Sequence, residues 1–203
     1  MNHLAHLLTA GNDDDKRLGV LLGDHVRGRS RLKDFPFGIR TGIELHRAVD
    51  SFTDQDQNLA NLRNHFKPPY RRYVGIMLDV YFDHLLSLSW SRYCEQPLNV
   101  YAAGILHLLE THREQLPPGL ERFRHYAVTT GVLGRYGEIN VLDKVYQGIG
   151  QRMKHANPLA ESLKVLQPEH SRILDAFEGF FPRLMAFSKQ WQTDYETANS
   201  ETP

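Results

Sequence analysis

A chain of 203 residues with a 41% hydrophobic share is long enough to bury one substantial core. Its 24 Lys and Arg residues cancel its 24 Asp and Glu residues, so no whole-molecule field favours nucleic acid or a membrane surface, and a charged partner must be met by a local patch. Cys94 is the single cysteine, which excludes an internal disulfide framework and a zinc site built on several thiolates; a reducing cytoplasm is the expected location.

The start, Asn2-His3-Leu4-Ala5-His6-Leu7-Leu8, turns polar at Gly11-Asn12-Asp13-Asp14-Asp15 and lacks the cationic and long apolar regions of a signal peptide. No apolar run approaches the roughly 20 residues needed to span a bilayer. Runs of alternating β-branched residues are scarce, whereas apolar residues recur at helical spacing, which predicts an all-α fold in a single domain over residues 1–192. The polar tail, 193–203, is expected to fray.

In chain order, the first helix is expected over about residues 2–10, with the Gly-Asn-Asp-Asp-Asp stretch as its exit and as the cap of a second helix carrying Leu18, Val20, Leu21 and Leu22. Pro36 marks the next loop, and a third helix is read over 38–51. Pro68-Pro69 separates the following helix from a longer one beginning near Tyr70. Helices are also expected over 98–116, 119–133, 139–153 and 169–191, with Pro182 kinking or dividing the last.

The helix after Tyr70 is the most informative, because Ile76 to Leu86 is apolar almost all round and its polar residues stand out. Asp79 and Asp83 share a face at i and i+4, and His84 adjoins it. Burying these groups among Leu78, Val80, Phe82, Leu85 and Leu86 costs several kcal/mol per unpaired charge. Either a divalent metal compensates them, or arginines such as Arg47 or Arg72 pair with the carboxylates. His46 and Asp50 form a second i, i+4 pair, which taken alone is more often a surface ion pair than a metal site. Asp24 sits in Gly23-Asp24-His25-Val26-Arg27-Gly28, where flanking glycines let backbone approach a ligand; its plainer reading is a turn or cap aspartate. His6, on the first helix, is either a ligand or an ordinary buried histidine. Oxygen and nitrogen donors without thiolates suit manganese, magnesium or iron. Such a centre suits phosphate esters, where an ion activates water and polarises phosphoryl oxygens. The basic run Arg27-Gly28-Arg29-Ser30-Arg31-Leu32-Lys33 and the group Lys67, Arg71, Arg72 are either solvated faces or a landing surface for an acidic protein. Aromatics for base stacking are missing from the first run.

Together these segments resemble the acyl carrier protein phosphodiesterase family, a non-standard branch of the HD-type metal-dependent phosphohydrolases. The resemblance is carried by Asn2-x-Leu4-Ala5-His6, by Leu21-Leu22-Gly23-Asp24-x-Val26-Arg27-Gly28, by Gly42-Ile43-x-Leu45-His46-Arg47-x-Val49-Asp50, and by Leu78-Asp79-Val80-x-x-Asp83-His84-x-Leu86. It continues more weakly through Arg135-Tyr136, Gly148 with Arg152, and Phe181-Pro182-Arg183-Leu184-Met185. It implies an HD-domain-like helical bundle and hydrolysis of the phosphodiester joining 4'-phosphopantetheine to a serine of holo-acyl carrier protein, with manganese as the activating metal. The usual signature places His directly before Asp, whereas here the adjacent pair is Asp83-His84, so the usual ligand order does not transfer.

The candidate ligand pool is therefore Asp24, His46, Asp50, Asp79, Asp83 and His84, with His6 as ligand, supporting group or proton shuttle. Arg47 and Arg27 are candidates for offsetting phosphate charge, and Arg29, Arg31 and Lys33 for docking the carrier. His3 and His25 stay outside the site on the family pattern. The rival readings are an HD-type phosphohydrolase acting on a nucleotide or other small phosphate ester, and a helical binding module whose buried acids are structural.

Overall fold

A computed structural model describes residues 2–28 and 30–200, the side chain of Ser200 excepted; among them there are helices and no strand. The α-helices are α1 (His3–Thr9), α2 (Asp14–Leu22), α3 (Phe37–Gln55), α4 (Gln57–His65), α5 (Val74–Leu88), α6 (Leu98–Thr111), α7 (Pro118–Thr130), α8 (Val132–Arg135), α9 (Ile139–Arg152), α10 (Ser162–Leu166) and α11 (His170–Ser200). None is long and apolar enough to cross a membrane.

The all-round apolarity of α5 makes it the central helix. Met77, Leu78, Val80, Tyr81, Phe82, Leu85 and Leu86 are all buried, and α5 packs against α1, α9 and α11. Each large apolar side chain taken fully from water contributes about 1.5–3 kcal/mol.

The tightest pair is α2 on α3. Asp13 caps α2 by accepting from Lys16 N, which starts the helix where the acidic stretch predicts. A Cβ on Gly42 would lie 2.2 Å from the Lys16 carbonyl oxygen, and one on Gly19 equally close to that of Ile39. The two backbones thus touch where neither residue has a side chain. Gly42→Ala should cost about 2 kcal/mol, because backbone rather than a flexible side chain must give way. Thermal denaturation checks this, and an unchanged Tm would mean the helices separate at no cost.

The elements differ from expectation at several points. The helix expected over 119–133 is interrupted at Gly131, giving α7 and α8. The short α10 carries too few residues to show a period. Pro182 lies inside α11 without dividing it. A proline there removes one backbone donor and crowds the preceding turn, and Arg183 Nε donates to the Gly179 carbonyl at 2.9 Å. Arg183 also donates to Asp56 (2.6 Å), which caps α4 through Leu59 N. Within the polar tail, residues 193–200 are helical, Glu196 pairs with Lys16 and Tyr195 stacks on Trp191; 201–203 lie outside the described residues.

Candidate metal centre

The first turn of α1 has no side-chain cap of its own. Its orphan donors are instead met from α5: Leu4 N donates to Asp83 Oδ2 at 2.9 Å, and Ala5 N to Asp83 Oδ1 at 3.0 Å. A carboxylate at a helix start satisfies those N–H groups and the helix dipole together. Asp83 is fully buried; burial pushes its carboxyl up to about 7 against the lowering effect of the two N–H groups. This fixes α1, and with it His6.

The close α2–α3 pair sets the other donors. A Cβ on Gly23 would fall 2.2 Å from His46 Cγ, so the glycine beside Asp24 makes room for an imidazole rather than for a ligand. His46 Nδ1 lies 2.8 Å from the Val20 carbonyl oxygen, which can only accept, so Nδ1 carries the proton and Nε2 faces inward. Nε2 lies 3.2 Å from Asp50 Oδ2 and 3.4 Å from Asp24 Oδ1. The His6 ring stacks on that of His46 with centroids 4.0 Å apart. Its Nε2 approaches Asp50 Oδ1 at 3.2 Å, yet neither His6 nitrogen is aligned for a hydrogen bond.

These groups perturb one another strongly. Burial lowers the His6 imidazole to about 3, against Asp50, so it is neutral. Burial alone would lower His46 too, but hydrogen bonds to Asp24 and Asp50 raise it to about 9. Asp50 is held well below the usual carboxylate range: burial opposes this, and His46 and His6 overcome it. His46 itself holds Asp24 low. A lone pair aimed at two carboxylates needs a cation between them. A proton on His46 Nε2 supplies one, but leaves His6 without a hydrogen bond. Ligand atoms of His6, His46 and Asp50 all lie within 4.8 Å of one another. This donor set, which Asp24 adjoins, fits a divalent ion, and the His46–Val20 contact is the outer hydrogen bond that orients a ligating histidine.

A proton and a bound ion would compete for His46 Nε2. Ion affinity should therefore rise roughly tenfold per pH unit as pH climbs towards 9 and level off above it. Without an ion the sign reverses for stability. A raised histidine contributes most below its unfolded value of 6.5, and that contribution is lost as pH rises through about 9. Calorimetric ion titrations at several pH values check the first statement, and a flat affinity between pH 7 and 9 would contradict it.

Asp24, His46 and Asp50 line a cleft of about 570 Å³ together with Asp79, Arg63, Asn64 and Arg71. Burial raises the Asp79 carboxyl above its ordinary value. Arg71 donates to Asn64 Oδ1 at 2.8 Å, and Arg63 reaches Asp54 at 3.4 Å. The lining thus carries carboxylates and two guanidinium groups together. A second chamber of about 290 Å³ shares Asp24 as a wall and lies between the start of α1, α7 and α9.

The structure brings together His6, Asp24, His46 and Asp50, with Asp79 on the wall of the same cleft. Other expected site residues are placed differently. Asp83 is occupied in holding α1 rather than joining the group that could hold an ion. His84 Nδ1 pairs with the Tyr136 carbonyl at 2.9 Å, and Asn2 donates to the Tyr136 hydroxyl, so His84 and Tyr136 tie α5, α8 and α1 together. Arg47 is taken up by Glu44 and the Val26 carbonyl, which removes it from the cleft and makes it an anchor for the loop after α2. Neither Arg47 nor Arg72 pairs with Asp83; Arg72 lies over the Tyr73 ring. Arg27, Arg31 and Lys33 are exposed outside the cleft lining, and Arg29 lies outside the described residues. His3 and His25 line the second chamber. Arg63 and Asn64 escaped the sequence reading. They lie on α4 while Arg71 lies in a short 3-10 turn, so no spacing connects them.

The sequence model of the acyl carrier protein phosphodiesterase family matches residues 1–184. The chain is 31% identical over 193 residues to the acyl carrier protein phosphodiesterase of Klebsiella pneumoniae subsp. pneumoniae, covering 95% of this chain and 100% of that one. It is also 31% identical over 187 residues to that of Escherichia coli O157:H7, covering 92% and 96%. No solved structure matches.

Proposed function

The chain belongs to the acyl carrier protein phosphodiesterase family, and from that premise we propose that it removes 4'-phosphopantetheine from holo-acyl carrier protein at the centre formed by His6, Asp24, His46 and Asp50. The observation that carries this reading is that ligand atoms of two imidazoles and a carboxylate lie within 4.8 Å of one another, beside a cleft that Arg63 and Arg71 also line. Neutral imidazoles and carboxylates are donors for manganese, magnesium or ferrous ion, and the family resemblance favours manganese.

His6, His46 and Asp50 would hold the ion, with Asp24 at its edge. When bound, the ion supplies Lewis acidity to a phosphoryl oxygen and lowers the pKa of a water molecule. Arg63 and Arg71 offset the charge that builds on the phosphoryl oxygens. In the balanced reaction the water oxygen bonds to phosphorus, the bond from phosphorus to the serine oxygen breaks, and a proton ends on that oxygen. Asp79, on the cleft wall with its carboxyl raised by burial, is the candidate for proton transfer. His6 suits it less, because its imidazole stays neutral until far into acid.

The exposed cations Arg27, Arg31 and Lys33 suit docking of an acidic carrier protein, which affects encounter more than chemistry. Acyl carrier protein as substrate, with no role for nucleic acid or membrane, accords with a cytoplasmic enzyme whose one cysteine stays reduced.

The test is the intact mass of holo-acyl carrier protein incubated with metal-stripped protein and then with added manganese. Loss of the phosphopantetheine unit with manganese, and none with chelator, is expected. A carrier whose mass never changes, under conditions where the protein hydrolyses bis(p-nitrophenyl) phosphate, would favour the small-ester reading instead.

A further inference from the structure

We propose that the second chamber, between the start of α1, α7 and α9, is the subsite for the pantetheine arm of the prosthetic group. This rests on the function proposed above. Asp24 forms a wall of both cavities, so a phosphodiester held at the metal centre has one of its two ester arms at the chamber's mouth. The chamber's volume of about 290 Å³ admits a slender flexible chain and not a folded protein. The carrier therefore stays at the open cleft beside Arg63 and Arg71, and the arm turns the other way.

The lining fits that arm. A pantetheine chain alternates methylene and gem-dimethyl groups with two amides and a hydroxyl, so it needs apolar walls punctuated by donors for its carbonyls. Val145, Ile149 and Phe123 supply the walls. Arg122 and Arg152 supply donors, and among the described residues neither forms an ion pair or hydrogen bond. His3 packs its ring on Phe123 at 3.9 Å, and burial lowers it to about 4, so it offers a neutral imidazole rather than a charge. Among the described residues no carboxylate but Asp24 lines the chamber, so none of the others repels the phosphate that the arm carries.

Filling the chamber tests this. Ile149→Trp should lower kcat/KM for holo-acyl carrier protein at least about tenfold relative to kcat/KM for bis(p-nitrophenyl) phosphate, which has no arm. Arg152→Ala, at an exposed position, should lower the same ratio about threefold and decides the matter if the tryptophan variant fails to fold. As a readout independent of turnover, pantetheine added to the metal-free protein should shift the His3 and His25 ring resonances, and should not do so in Ile149→Trp. An unchanged ratio in the folded variants, or pantetheine that leaves both histidines unmoved, overturns the subsite. Failure of the wild type to act on holo-acyl carrier protein at all would instead sink the function beneath it.

Discussion

Asp50→Ala will lower manganese-dependent kcat/KM on holo-acyl carrier protein by more than about a hundredfold and weaken ion binding in parallel. Outer-shell partners of a metal typically cost about 10–100-fold when removed, and Asp50 stands closer than that: its two oxygens each lie 3.2 Å from a different histidine nitrogen. Without it, His46 Nε2 keeps only Asp24, and His6 Nε2 loses the one carboxylate beside it. The fold should survive, because the Asp50 side chain is 42% exposed and truncating it opens no cavity in the core. Kinetics with a circular-dichroism melt separate the two effects. Activity within tenfold of wild type at saturating manganese would remove Asp50 from the centre.

The contrasting result is expected at Asp83. Asp83→Ala leaves Leu4 N and Ala5 N buried without acceptors, at about 1–3 kcal/mol each. A total near 3 kcal/mol corresponds to a fall in Tm of roughly 6–12 °C for a chain of this size. Asp83→Asn should lose nearly as much, since its amide nitrogen sets a donor against a donor. The wild-type carboxyl also carries a pH signature. Its folded value of about 7 lies above the ordinary value of 3.8, so its contribution to stability is full below 3.8 and is lost as pH rises through 7. That local slope should vanish in the asparagine variant. Ion affinity should fall together with Tm, because His6 follows Ala5 in the helix that Asp83 holds. An alanine variant that melts like wild type would show that α1 is held by something else.

These two aspartates mark what the sequence could and could not disclose. The apolar surroundings of α5 made Asp79, Asp83 and His84 conspicuous as buried polar groups, but periodicity says only that a group is buried, not what meets it. The partners of Asp83 are backbone donors 78 and 79 residues away, which leave no trace in side-chain chemistry. The pair His46 and Asp50 was legible because both lie on one helix at i and i+4. The helical class was legible from spacing, whereas the break at Gly131 is a local left-handed glycine cap that the spacing of apolar residues does not register. Arg63 and Arg71 reach one cleft from separate elements, and only the packing of α4 brings them there. The reversed order Asp83-His84 also acquires a physical reading: in this chain the adjacent pair secures helices to one another, while the inward-facing donors come from α1, α3 and the turn after α2.

With seven residues, α1 is too short to persist as a helix by its own hydrogen bonds. Asp83 grips its first turn, and Gln192 on α11 donates to the Thr9 carbonyl at its last, at 3.0 Å. His6 thus rides on a strut clamped at both ends by other parts of the molecule. A change at α11 such as Gln192→Ala should therefore loosen the short helix that carries His6.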